Sequence, residues 1–232
     1  KGIKCYLYFV EKLCPEGATA CNTIIAASKP QGQTTDWTGQ TTYYYTGKPN
    51  NWVQFAGFWW RIIRINGDGS IRMIYQGISA NETGTGTQIG TKAFNSPGDN
   101  NMYVGFKYGS NSSDYAVTHA NINNSTVLGS DNSNDTTTLN GWYRANLLEY
   151  TTYIDGNAGF CGDRRLNSGT GTGETVTTYQ PSIRINNSTP NLSCEKVDIY
   201  TIDEFEYGNG ALTYPIGLIS ADEAMLGGIL RT

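Results

Sequence analysis

The hydrophobic pattern is dominated by two apolar runs on either side of a turn. Phe55-Ala-Gly-Phe-Trp-Trp-Arg-Ile-Ile-Arg-Ile65 leads into Asn66-Gly-Asp-Gly-Ser70 and then Ile71-Arg-Met-Ile-Tyr75. Asn-Gly and Asp-Gly tolerate the positive φ of a tight hairpin turn, so the segment is predicted to be a β-hairpin. On the first run Trp60, Ile62 and Arg64 share one face, and Trp59, Arg61, Ile63 and Ile65 share the other. Both faces are mostly apolar, which predicts an interior strand covered on both sides. Its arginines then need partners, or must reach the sheet's edge. Met102-Tyr-Val-Gly-Phe-Lys-Tyr108 alternates well enough for another strand.

Helical periodicity is weaker and more local. Ile3, Leu7, Val10 and Leu13 approximate one stripe, continued by Thr23-Ile-Ile-Ala-Ala27 after the break at Cys14-Pro-Glu-Gly, and Lys29-Pro-Gln-Gly reads as a connector. Leu139 to Tyr150 is predicted as a helix with Trp142, Leu147 and Leu148 in its buried stripe and Tyr143 flanking it. Ser220-Ala-Asp-Glu223 fits a capping box, which predicts a short helix over about 220–227, ended by Gly227-Gly228. Gly84-Thr-Gly and Gly169-Thr-Gly-Thr-Gly173 lack the Lys-Ser/Thr of a phosphate loop and read as plain loops.

Composition narrows the class. The chain has 232 residues, 12% aromatic and 16% charged, with 28 glycines and a formal net charge of -4. That aromatic content can bury enough surface to oppose disorder, and the acidic balance disfavours nucleic acid as a partner. No stretch of 18 or more apolar residues occurs, so no membrane span is expected. The texture is that of a strand-dominated, loop-rich globular chain.

The five cysteines are Cys5, Cys14, Cys21, Cys161 and Cys194, with no CxxC pair, and His119 is the single histidine. Zinc ligation by spacing is thereby disfavoured, and disulfides in an oxidising exterior fit better. Cys161 and Cys194 bracket a polar segment with little core-forming sequence and are expected to pair. Cys14 and Cys21 are a second possible pair, and Cys5 is left over. Asp163-Arg164 and Asp222-Glu223 are the carboxylate groupings worth testing for hydrolytic chemistry. Capping explains Glu223, and a structural ion pair suits Asp163-Arg164. Asn66, Asp68 and Ser70 have the alternate spacing of a calcium loop, but Gly77 stands where a bidentate Glu belongs. A hairpin turn is the preferred reading there, so no cofactor is expected and calcium is kept only as a candidate.

Tyr43 to Ser70, including Tyr-Tyr-Tyr-Thr-Gly-Lys-Pro-Asn-Asn-Trp and Phe-Trp-Trp-Arg-Ile-Ile-Arg-Ile-Asn-Gly-Asp-Gly, resembles a family of uncharacterised surface proteins from gut-dwelling Gram-positive bacteria. The resemblance continues in order through Tyr103-Val-Gly-Phe-Lys-Tyr-Gly109, Trp142-Tyr-Arg-Ala-Asn146, Phe160-Cys-Gly-Asp-Arg164 and Leu212-Thr-Tyr-Pro-Ile-Gly-Leu-Ile-Ser-Ala-Asp-Glu223. It implies an α+β, C-type-lectin-like fold, related to formylglycine-generating enzymes and the variable proteins of diversity-generating retroelements. Such a fold has twisted antiparallel strands, two main helices and long loops. Trp142–Tyr150 would be the first main helix and Ser220–Gly227 the second. On this reading residues 1–40 form a helical stem or connector and 41–232 the lectin-like domain. Relatives continue with an aromatic, Asn/Gly-rich stretch, so the domain is expected to be truncated at its C-terminal end.

The function expected is a non-catalytic recognition module, extracellular or attached to the cell surface, binding a glycan or a protein on another surface. A structural pilus or adhesin subunit is the alternative, and a hydrolytic enzyme ranks below both. Trp59, Trp52 and Tyr44 are the candidate ligand-binding aromatics, whereas Trp60 and Tyr214 are assigned to the core.

Overall fold

The computed structural model describes residues 2–3, 6–9, 30–80, 82–92, 127–171 and 175–228. Cys5, Cys14, Cys21, His119 and the expected strand at 102–108 lie outside the described residues. The architecture is α+β with antiparallel sheets. Strands β1 (Gly2–Ile3), β2 (Tyr6–Phe9), β3 (Gly32–Thr35), β4 (Thr41–Tyr44), β5 (Trp52–Phe55), β6 (Phe58–Ile65) and β7 (Ile71–Gly77) come first. All but β1 join one sheet of order β2-β7-β6-β4-β3, with β5 also pairing β6. β1 instead pairs β8 (Gly90–Thr91).

The hairpin forms where its turn residues demand it. Asn66 N–H donates to Ser70 O at 2.9 Å, and Gly69 N–H to Asn66 O at 3.0 Å with Gly69 at φ 86°. Strands β6 and β7 therefore leave and enter the turn at Ile65 and Ile71.

Two expectations about strands are corrected. Ile3 and Leu7 lie in strands, not in a helix: Tyr6-Leu-Tyr-Phe is an aromatic, strand-favouring run whose backbone completes the free edge of β7. With β3 also in this sheet, residues 2–3, 6–9 and 32–35 contribute strands, and the rest of the expected helical pattern, Val10, Leu13 and residues 23–27, lies outside the described residues. The second correction concerns Arg64. A β-bulge between Ile62 and Arg64 pairs Arg64 with Arg72, so Arg64 leaves the face of Trp60 and Ile62.

The resulting sheet has two different faces. Trp60, Ile62, Met73 and Tyr75 are buried on one, beneath helix α1 (Leu139–Asn146). The Trp142 ring of α1 lies 5.2 Å from Phe58, 5.4 Å from Tyr75 and 6.1 Å from Trp60. Trp60 Nε1 donates to Phe55 O at 2.9 Å, which satisfies the buried indole. Helix α1 starts at the Thr138 cap but ends at Asn146, where a 3-10 turn over Leu148–Tyr153 takes over. The change to three residues per turn swings Leu148 out, 52% exposed, while Leu147 stays buried. Tyr143, expected at the flank, is fully buried and stacks on Tyr214 at 4.8 Å.

The other described residues pack around the hairpin as short elements. β9 (Phe160–Cys161), β10 (Leu166–Ser168) and β11 (Thr178–Tyr179) are followed by helix α2 (Gln180–Asn187). β12 (Ile199–Tyr200) pairs β9, and β13 (Glu204–Phe205) pairs β14 (Gly208–Asn209). Helix α3 (Ala221–Leu226) closes the series with both capping-box bonds in place. Helix α2 is an addition to the two main helices expected. Its one buried residue is Arg184, so ion pairs anchor it where an apolar stripe is lacking. Cys161 and Cys194 are joined by a disulfide across this polar region.

Candidate recognition site

Helix α3 covers part of the second face of the sheet. Arg72 and Ile74 alternate with Met73 and Tyr75, and so point away from α1. Glu223 of α3 meets Arg72 Nε at 2.6 Å and Arg64 Nη1 at 3.6 Å, with the side chains at most 3% exposed. Arg72 also donates to Gly159 O at 2.8 Å and lies 4.7 Å over the Phe160 ring. Burial pushes the Glu223 carboxyl up, but the charges of Arg72 and Arg64 and the hydrogen bonds with Ser220 outweigh it. The group ends below its ordinary value.

The remainder of that face carries β5 against β6, with Trp52 opposite Arg61 and Gln54 opposite Trp59. Directly paired residues share a face, as do residues two apart, so Trp52, Gln54, Trp59 and Arg61 form one surface. Both tryptophans are half-buried. Arg61 lies 4.8 Å over the Trp52 ring, donates from Nε to Asn51 Oδ1 at 3.1 Å and from Nη2 to Pro49 O at 3.2 Å. These partners are neutral. Burial lowers the Arg61 guanidinium from its ordinary value, as expected for a partly desolvated cation.

A cavity of about 180 Å³ opens between this surface and α3, lined by Arg61, Ile63, Ile74, Gln76, Asn51 and Glu223 among others. Its origin is the split edge of β6. β5 pairs with Phe58–Arg61 and β4 with Arg64–Ile65, leaving residues 45–51 to arch between them. The arch is held by Ile62 N–H to Asn51 O at 3.0 Å and Tyr45 N–H to Ile63 O at 2.9 Å. The Asn51 amide also donates to Ile62 O. Gly47 N–H reaches Gly227 O at 3.0 Å, which fixes the arch to the end of α3.

The structure separates the candidate aromatics. Trp52 and Trp59 are diagonal neighbours on the face just described, and Tyr44 is elsewhere. The Tyr44 ring lies over Gly32 of the paired strand, so close that a Cβ there would sit 2.3 Å from it. Tyr44 thus covers a glycine across a strand pair. Trp60 is fully buried and Tyr214 packs against the core, as their core assignment required. Arg61 was not singled out from the sequence as a site residue. The available signal was an arginine on an apolar strand with no acidic residue two positions away.

Asn66, Asp68 and Ser70 bind one another in the hairpin turn. Asp68 Oδ1 accepts from Ser70 N–H at 2.9 Å and from its hydroxyl at 2.7 Å, and Asn66 Nδ2 donates to Ser70 Oγ at 2.8 Å. A small cavity of about 80 Å³ beside the turn is lined by Asp36, Trp37, Arg64, Asp68 and Asp155 among others. Burial raises the Asp155 carboxyl, and the charge of Asp68 adds to the effect. Among the described residues no group of three His, Cys, Asp or Glu side chains is arranged to hold a metal ion.

The other carboxylates are engaged in ion pairs. Arg184 binds Asp222 through Nε and Nη2, both at 2.7 Å, and Asp163 through Nη2 at 2.7 Å. Arg165 closes on Asp163 at 2.7 Å. Burial raises Asp163, but the hydrogen bonds from Arg165 and Arg184 prevail and leave it below its ordinary value.

A scan against protein-family models and searches of curated proteins and of solved structures gave no match to this chain. Among the described residues no helix is long and apolar enough to cross a membrane.

Proposed function

We propose that this chain is a non-catalytic recognition module of a secreted or surface-attached protein, built on a C-type-lectin-like domain, and that its ligand is a glycan. The observation that carries the reading is the half-buried pair Trp52 and Trp59 on one sheet face, flanked by Gln54 and Arg61 and bordered by a cavity. Flat aromatic faces with adjoining amide and guanidinium donors suit a sugar ring, which offers C–H groups on one side and hydroxyls around its rim.

Three further features support it. An antiparallel hairpin followed along the chain by α1 and α3 is compatible with a lectin-like order of elements. The Cys161–Cys194 disulfide suits an oxidising compartment. Asp163, Asp222 and Glu223, the carboxylates considered for hydrolysis, are each engaged by arginines in ion pairs. A glycan array probed with the wild-type protein and Trp59→Ala tests the proposal. Binding that is lost in the variant is expected. A silent array, with retention of the wild type on a protein ligand, overturns the glycan assignment.

A further inference from the structure

The cavity has, at Arg61, a wall that is charged but not neutralised. Arg61 is half-buried, yet among the described residues it has no carboxylate partner. Other arginines are treated differently: Arg64 and Arg72 meet Glu223, and Arg165 and Arg184 meet Asp163. Glu223 also lines the cavity, but two guanidiniums already converge on it.

Arg61 is also held in one orientation. Asn51 Oδ1 and Pro49 O take its Nε and Nη2, the Trp52 ring stacks on its plane, and among the described residues Nη1 has no acceptor. Neutral carbonyls orient a guanidinium without cancelling its charge. A partly desolvated cation so positioned interacts strongly with an incoming anion, because the ordering of its side chain is already complete. The surrounding groups are Gln76, which uses its amide N–H on Glu82 O at 2.7 Å, and the apolar Ile63 and Ile74. The space is suited to a single sugar ring, not to an extended chain.

We infer that this cavity is an anion subsite, in which Arg61, backed by the Trp52 ring, receives the carboxylate of an acidic sugar while Trp59 lies on the same sheet face for the adjoining saccharide. The inference rests on the glycan reading above and names its ligand class: a uronate-type saccharide. Arg61 supplies charge and a planar donor edge, so a lysine at the same place keeps the first and loses the second.

Isothermal titration with a galacturonate tetrasaccharide and with the matching neutral galactose tetrasaccharide tests this. The wild type is expected to bind the acidic probe, more weakly as salt rises, and to bind the neutral one at least about tenfold less well. Arg61→Gln is expected to lose about tenfold or more on the acidic probe alone, and Arg61→Lys to fall between. Thermal melts of both variants establish that they are folded, and Arg61→Lys carries the test if Arg61→Gln is not. Equal binding of the two probes, or acidic-probe affinity unchanged in a folded Arg61 variant, overturns the inference while Trp59-dependent glycan binding stands. Binding of a poly-glutamate peptide with no uptake of either saccharide overturns both readings, as does the absence of all binding.

Discussion

Replacing Glu223 with Gln isolates the charge at the junction of α3 and the sheet. Gln is itself a capping-box residue, so the bonds with Ser220 that start α3 are retained. What is removed is the negative charge beside Arg72 at 2.6 Å and Arg64 at 3.6 Å, where both arginine side chains are at most 3% exposed. Breaking a buried pair in this way leaves uncompensated cations in a poorly solvated place, which costs about 3–5 kcal/mol. For a domain of this size that corresponds to a fall of about 6–20 °C in melting temperature. Urea unfolding followed by circular dichroism measures it. The pH dependence adds a second readout. Glu223 is held below its ordinary value of 4.5, so its contribution is complete above that pH and is lost as pH falls through the folded value. Glu223→Gln should flatten this acid limb as well as lower the plateau. Adding Arg72→Met to Glu223→Gln should recover part of the loss, because one of the two stranded cations is then gone. A loss below about 1 kcal/mol, with the acid limb unchanged, would refute the reasoning.

Removing the disulfide by Cys161→Ser with Cys194→Ser opens a loop of sequence separation 33. The chain-entropy relation gives a loss of about 3–4 kcal/mol, to be read from chemical denaturation and matched by reduction of the wild type. Gly32→Ala drives a methyl into the Tyr44 ring, with 2.3 Å between the new Cβ and Cζ. It should cost about 1–3 kcal/mol, and Tyr44→Ala on the same background should relieve it, as a double-mutant cycle would show. Arg184→Met should destabilise the α2 region by removing the cation from Asp222 and leaving Asp163 to Arg165 alone, and hydrogen exchange should locate the loss at Gln180–Asn187. Uniform exchange across the chain would contradict that assignment.

The hairpin and α3 were legible in the sequence because each depends on a few local residues: Asn66-Gly-Asp-Gly-Ser70 for the turn, and Ser220 with Glu223 for the cap. Helix α2 was not, because its buried contact is an arginine whose acidic partners are 21 and 38 positions away. The bulge at Ile62–Arg64 was equally hidden: strict alternation groups Arg64 with Trp60, and only the convergence on Glu223 shows why the register shifts. At the candidate site, Trp52 and Trp59 were visible as unassigned aromatics on an apolar hairpin. Arg61 was visible only as a residue in need of a partner, and the packing of Tyr44 over Gly32 was not visible because that glycine lies on another strand. Tertiary pairing, not local propensity, decides each of these.

The Arg72–Glu223 contact spans 151 positions of the chain. During synthesis the hairpin therefore emerges with Arg64 and Arg72 long before the carboxylate that meets them. Until α3 arrives, that face of the sheet is open and positively charged, and the wall of the cavity below it does not exist. Folding of the hairpin can begin early, since its contacts are local, but the charged face waits for the helix. Completion of the cavity is thus a late event, timed by the arrival of a single short helix.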